Sequence, residues 1–382
     1  MPIESNIRIK VIVPQLPSAR TPITMLRLLP VLLTLVCLTG CHRPMRVITS
    51  GGLDFDGNMD MTGDMNMSGD VRTSVKSDNS ASRLSRVTVS GHESTANSIA
   101  VIGVDDLLIN QNISGLGSMG ENPVALFREK LRVLSKDPSV SAIVLRIDTP
   151  GGGANAADQM AHELEQFRSQ CKVPVVACIM SVGAGGGYYL ACHADHIISQ
   201  PTSIVGGIGV ILNTYNLEDT LAQFNVISVP VKSGEKIDIA SPQRTMEDGE
   251  RDILQGIANQ MHERFIAHVK RSRPRVAADS PVFDGRVVSG QEAVELALVD
   301  QLGYMDDAIA VASQMANVPP HSSVVMLRRD NDRAYTVLDK TPNRPSTGSL
   351  IPLNVPGLDR SNLPTFLYLW QADPKFVTAS GG

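Results

Sequence analysis

Apolar positions in this 382-residue chain alternate between strand-like and helix-like spacing from about Asn97 to Ala310. Ser98 to Ile109 reads as a strand. Asn122 followed by Pro123 is an N-cap and first-turn pair. Val124, Phe127, Leu131 and Leu134 then recur on one helical face, which ends near Asp137-Pro138. Ala142 to Ile147 is almost continuously apolar, the pattern of a strand covered on both faces. Ala154 to Gln170 reads as a helix and Pro174 to Met180 as a second buried strand. Thr245 is placed to cap a long helix reaching about Arg273, with Leu254, Ile257, Met261 and Phe265 inward. Strand–helix–strand alternation predicts βαβ crossovers, a mostly parallel sheet and an α/β fold.

The flanks follow other patterns. Arg20 and Arg27 precede an 11-residue apolar run, Leu28 to Leu38, too short to span a bilayer and long enough for a secretory signal. It ends in Leu38-Thr39-Gly40-Cys41, which resembles a bacterial lipobox, so Cys41 is the expected lipidation site and mature N-terminus. Met25 would begin a more compact signal than Met1. Residues 1–40 are thus expected to be a lipoprotein signal peptide of an exported protein, anchored by lipid and facing the periplasm or cell exterior of a bacterium. Residues 41–96 read as a polar linker with a Gly/Met/Asp repeat of period six. Glycines fall at Gly51, Gly57, Gly63 and Gly69, with alternating apolar residues between them, a pattern of short strands, a ribbon or a spacer. Residues 97–318 form the α/β domain, and 319–382 read as an irregular, Pro-rich C-terminal segment with one apolar cluster, Phe366 to Trp370.

Net charge is −5, which argues against a nucleic-acid partner, since that needs a basic footprint. With Cys37 leaving in the signal and Cys41 lipidated, Cys171, Cys178 and Cys192 remain; an odd number gives no disulfide framework and suggests buried free thiols. Cys192, His193 and His196 lack a second ligand pair, so no metal is assigned there, and the Met repeat lacks the His or Cys cluster of a copper site. No cofactor is expected.

Three glycine-rich or polar blocks carry candidate chemistry. Asp148-Thr149-Pro150-Gly151-Gly152-Gly153 follows a buried strand, and its glycines let backbone N–H groups approach a developing oxyanion. Ser181-Val182-Gly183-Ala184-Gly185-Gly186-Gly187-Tyr188-Tyr189 follows another strand and enters a helix. The third block is Ser233-Gly234-Glu235-Lys236-Ile237-Asp238. Phe283-Asp284-Gly285-Arg286-Val287 and the stretch from Ala293 to Leu302 follow.

In this order the motifs resemble the bacterial signal peptide peptidase (protease IV) family, within the Clp protease/crotonase superfamily. The resemblance runs from about Ser98 to Ala310, and Leu367 to Trp370 is similar to the end of family members. It implies a superhelix of βαβ units, ring-like oligomers with shared sites, and serine endopeptidase chemistry in which a neutral lysine takes the proton of a nucleophilic serine. The family's nucleophile position is Gly185 here and its base position is Ile237, so neither reacting side chain is present. Gly206-Gly207-Ile208-Gly209 also lacks the hydroxyl that the family tends to place between its glycines. Gly151 and Gly152 keep the oxyanion-type backbone.

The leading expectation is therefore a pseudopeptidase that binds peptides or membrane-protein fragments, forms a homo-oligomer, or joins a ring with an active paralogue. The alternative is an active peptidase with relocated residues, Ser181 as nucleophile and Lys236 as base, with Ser203 and Ser233 as further candidates. A one-residue slip in a strand would turn Lys236 to the opposite face. A crotonase-type acyl-CoA reaction is permitted by fold alone, which does not fix function.

Overall fold

The computed structural model describes residues 82–341 apart from 92–96, 113–118 and 331, together with 343, 366–370 and three two-residue strands nearer the N-terminus. Those strands, β1 (Ile48–Thr49), β2 (Leu53–Asp54) and β3 (Ser74–Val75), form a small antiparallel sheet by themselves. The signal segment, Cys41 and the rest of the hexad repeat lie outside the described residues.

The main sheet has ten strands. Its centre is β5 (Ser98–Leu108), β6 (Val140–Gly153) and β7 (Val175–Ala184), mutually parallel. β12 (Ser323–Arg328) extends it in parallel beside β5, and β4 (Ser85–Ser90) closes that edge antiparallel. On the far side β7 splits its partners. Its first half pairs β8 (His196–Ser199) and its last residues pair β9 (Ile204–Gly206), both parallel. β10 (Val287–Ser289) lies antiparallel on β9, and β11 (Gln301–Leu302) parallel on β8. The tenth strand, β13 (Leu367–Leu369), lies antiparallel on the tail of β6.

The apolar runs are continuous because both faces are covered. Side chains alternate between faces along each strand. Ala100, Ile102, Ile143, Leu145 and Ile147 join the core under α1 (Pro123–Leu134) and α2 (Ala154–Cys171). Ile99, Val101, Ala142 and Val144 join a second core under α7 (Met305–Met315), with its Met305, Ala308 and Ala312. The remaining helices are α3 (Gly186–Ala191), α4 (Glu218–Gln223), α5 (Asp248–Ser272) and α6 (Gly290–Glu295). The α/β architecture and mostly parallel sheet agree with the expectation. Asn122 caps α1 as expected, accepting from the N–H groups of Val124 and Ala125 at 3.0 and 3.1 Å.

Some local expectations differ from what is found. α5 begins at Asp248, because the Thr245 hydroxyl is taken by Glu218 (2.7 Å) while Glu250 reaches back to the Glu247 N–H (3.1 Å). Leu254, Ile257 and Met261 are half-buried, and Phe265, His268 and Val269 carry the packing of that helix. The C-terminal segment is not wholly irregular, and residues 85–90 are a sheet strand rather than linker. Val324 to Leu327 is a short apolar run that becomes a strand through partners distant in sequence. Cys178 and Cys192 are buried free thiols, pushed up to about 12 and about 11 by burial, whereas Cys171 is half-buried.

His193, just past α3, and His268 on α5 stack with ring centroids 3.9 Å apart. Burial lowers both pKa values from 6.5, that of His268 to about 3 with help from the His193 and Arg271 charges. Facing the rings are Glu165, 3.2 Å from His193, Arg271, 3.0 Å from His268, and Arg168 and Arg264 further out. These imidazoles take up protons on unfolding, so stability is full above the unfolded value and falls as pH drops below about 6.5, continuing to about 3. Denaturation midpoints measured from pH 7.5 to 4.5 should decline, and His268→Phe should flatten that decline.

Candidate functional site

The candidate site forms where β6 outruns its neighbours. Thr149, fully buried, fixes the turn into the glycines: its hydroxyl donates to the Asp106 carbonyl and its oxygen accepts from the Gly151 N–H at 3.0 Å. Asp148 is anchored behind it, accepting from the Val182 N–H at 3.2 Å and pairing with Lys340. Gly151 has φ 104°, a conformation that favours glycine. A Cβ on Gly151 would lie 2.7 Å from the Gly186 nitrogen, and one on Gly152 would lie 2.7 Å from the Leu108 carbonyl carbon. Both glycines are required by the close approach of neighbouring backbone.

Gly185 joins β7 to α3 at φ 53°, ψ −122°, a region closed to ordinary side chains without strain. Its N–H donates to the Gly206 carbonyl at 2.9 Å and its carbonyl accepts from the Tyr189 N–H at 2.9 Å. A Cβ here would lie 2.6 Å from the Tyr368 carbonyl carbon and 2.9 Å from the Leu369 nitrogen. The position therefore has neither a side chain nor, with β13 in place, room for one. Gly151 and Gly185 converge on the Tyr368 carbonyl. This convergence of backbone was not readable from the motifs, although the apolar run Phe366 to Trp370 was its visible trace.

The other candidates lie apart. Ser181 is exposed on β7, four residues before Gly185, and four strand residues span about 13 Å. Ser203 is buried, its hydroxyl donating to the carbonyls of Ile179 (3.1 Å) and Met180. Ser233 and Ile237 lie on an exposed arm, the Ile237 side chain 70% exposed. Lys236 donates to Glu247 and faces Glu250 at 3.8 Å, and the Glu247 hydrogen bond raises its pKa. That keeps it protonated, the wrong state for a base. Next to it Arg244 forks onto Asp238 and Glu250, holding the Glu250 carboxyl down to about 2 and the Asp238 carboxyl far below its usual range. Among the described residues no serine hydroxyl is hydrogen-bonded to a lysine.

Sequence reasoning passed over Lys130, whose pKa burial and the Arg328 charge lower to about 8. It lines a cavity of about 50 Å³ with Asp105, Arg146 and Arg328. Thr341 supplies the hydroxyl there, and it is engaged with Asp332 and Arg328. A larger pocket of about 420 Å³ lies between α2 and α5, lined by Asp158, Glu165, His193, Arg264 and His268. Among the described residues no group of three or more His, Cys, Asp or Glu is placed to hold a metal ion. None of their helices is long and apolar enough to cross a membrane.

Residues 167–319 match the family model described as Peptidase family S49. A protein of Enterococcus faecium named as signal peptide peptidase SppA is 29% identical over 212 residues, 55% of this chain and 61% of that protein. Protease 4 of Salmonella typhi is 31% identical over 227 residues, 59% of this chain and 35% of its own length. The chloroplastic serine protease SPPA of Arabidopsis thaliana is 30% identical over 202 residues, 52% of this chain and 29% of its own. The chain thus spans about three fifths of the first relative and about a third of the other two. The parallel sheet, the glycines at the ends of β6 and β7, and these matches agree: residues 167–319 carry a peptidase family S49 domain.

Proposed function

We propose that this protein is a pseudopeptidase of family S49, an exported lipoprotein that binds peptides or partners without cleaving them. The observation that carries the reading is Gly185: no nucleophile stands there, and backbone fills the space a serine side chain would need. Supporting it, position 237 is an exposed isoleucine, and the nearest lysine in sequence, Lys236, is held protonated by Glu247. Ser181 is too distant from the glycine cleft for the same substrate carbonyl to reach both. Purified protein should therefore neither hydrolyse casein or signal-like peptides nor react with a fluorophosphonate probe. Labelling that disappears in Ser181→Ala would establish the relocated-residue alternative instead.

Lipid attachment at Cys41 follows from the lipobox-like ending of the signal run. Metabolic labelling with palmitate should mark the wild-type chain, and Cys41→Ser should abolish both the label and membrane sedimentation.

Partners are proposed from the arm. Phe224, Ile227, Val229 and Val231 are 75–102% exposed, and α4 beside them buries no residue. An apolar stretch of this kind marks an interaction surface, and we assign it to a second copy of the chain or an active paralogue in a ring. Ile227→Asp with Val229→Asp should shift the mass measured by light scattering toward the monomer. An unchanged mass would remove the arm from the interface.

A further inference from the structure

The pocket between α2 and α5 has a floor of three rings. His193 stacks on His268 with centroids 3.9 Å apart, and Tyr189 lies 4.8 Å from His268. His268 is 5% exposed and His193 6% exposed. Bond directions fix where the ring protons sit. The Arg271 guanidinium only donates, and it meets His268 Nδ1 at 3.0 Å, so the proton of the neutral His268 ring is on Nε2. Burial keeps that ring neutral. The His268 Nε2 atom is itself buried and has no hydrogen-bond partner. The Tyr189 carbonyl beside both rings already accepts from His193 Nδ1 at 3.0 Å. A buried donor left without an acceptor is costly, and this one lines a pocket of about 420 Å³.

The rim carries the charge. Asp158 accepts from the Tyr189 hydroxyl at 3.0 Å and from Arg264 at 2.8 Å, and Glu165 faces His193 at 3.2 Å. Arg271 has no carboxylate partner among the described residues; its side chain bonds His268 instead. The pocket thus offers one uncompensated cation and one unfilled N–H donor above an aromatic floor. A group with two acceptor oxygens and a single negative charge meets both. A carboxylate matches the guanidinium fork. A phosphate dianion would bring a second charge against Asp158 and Glu165. The volume lies within the roughly 300–1,000 Å³ of small-molecule sites, which leaves room for an organic body behind the carboxylate.

We propose that this pocket binds a small organic carboxylate, its oxygens held by Arg271 and the His268 Nε2–H and its body lying on the Tyr189 and His268 rings. A free organic acid and the C-terminus of a peptide present the same group, and the test separates them. The pocket lies apart from the glycine cleft, and the proposal does not depend on how that cleft is read.

The test uses the full chain and two pairs of probes. Benzoate and N-acetylphenylalanine carry the carboxylate; benzamide and N-acetylphenylalaninamide replace it with a neutral amide. Isothermal titration calorimetry should show binding of at least one acid and none of its amide at the same concentration. Tighter binding of benzoate supports the proposal with a free acid as the ligand class, and tighter binding of N-acetylphenylalanine supports it with a peptide terminus. Binding of neither acid, or equal binding of an acid and its amide, overturns it. Tighter binding of inorganic phosphate than of both acids overturns it as well. Arg271→Gln, and His268→Phe, which keeps a flat ring and removes the donor, should each weaken the bound acid about tenfold. Weakening by neither places the acid elsewhere and overturns the proposal. A readout on the wild-type chain needs no variant to fold. Long-range nitrogen–proton spectra of protein with isotope-labelled histidine should show His268 protonated on Nε2, and the acid should shift that nitrogen. A His268 protonated on Nδ1, or an Nε2 signal that the bound acid does not move, overturns the proposal.

Discussion

The site is governed by one steric constraint: three backbones meet at the end of β6 more closely than a Cβ allows. Gly152 abuts the backbone of Leu108, Gly151 abuts the nitrogen of Gly186, and Gly185 abuts the peptide group after Tyr368. Each contact is possible because the residue has no side chain. The sheet sets up this meeting. β5, β6 and β7 run parallel, and their ends pass the covered core together. Thr149 then holds the glycines in place through Asp106 and Gly151. The same glycine backbone is the edge on which β13 sits.

The arm after Asn213 is built on a different principle. It contributes few buried apolar side chains, and paired charges give it shape: Lys232 and Arg244 on Asp238, Arg244 and Lys236 on Glu250. Those pairs fix the arm while its hydrophobic residues, Phe224 to Val231 and Ile237, face outward. The block that would carry the family's base thus lies on the least self-sufficient part of the domain. Its lysine is spent on carboxylates that order the start of α5.

How legible each part was in the sequence depends on how local its cause is. Asn122-Pro123 and the apolar face after it announce α1, because capping and helical spacing act within a few residues. β5, β6 and β7 were legible because coverage on both faces leaves a continuous apolar run. β12 was not, since Val324 to Leu327 follows a proline pair and gains its meaning from Ile99 to Val101, far away in the chain. Thr245 misled for a similar reason: its partner, Glu218, lies on another element. Positions 185 and 237 were singled out by the resemblance to the family, whose nucleophile and base positions they match. What stands opposite Gly185 could not, because glycine backbone leaves no pattern that points to Tyr368.

Gly185 and β13 are one arrangement seen from two sides. β13 lies antiparallel along the glycines, in the manner of an extended peptide added to a sheet edge, and its Tyr368 carbonyl rests at the convergence of Gly151 and Gly185. The buried tyrosine, the hydroxyl bond to Met261 and the ladder to Ile211 retain the strand. With β13 seated, backbone fills the space beside position 185, so the glycine there and the strand opposite it constrain one another.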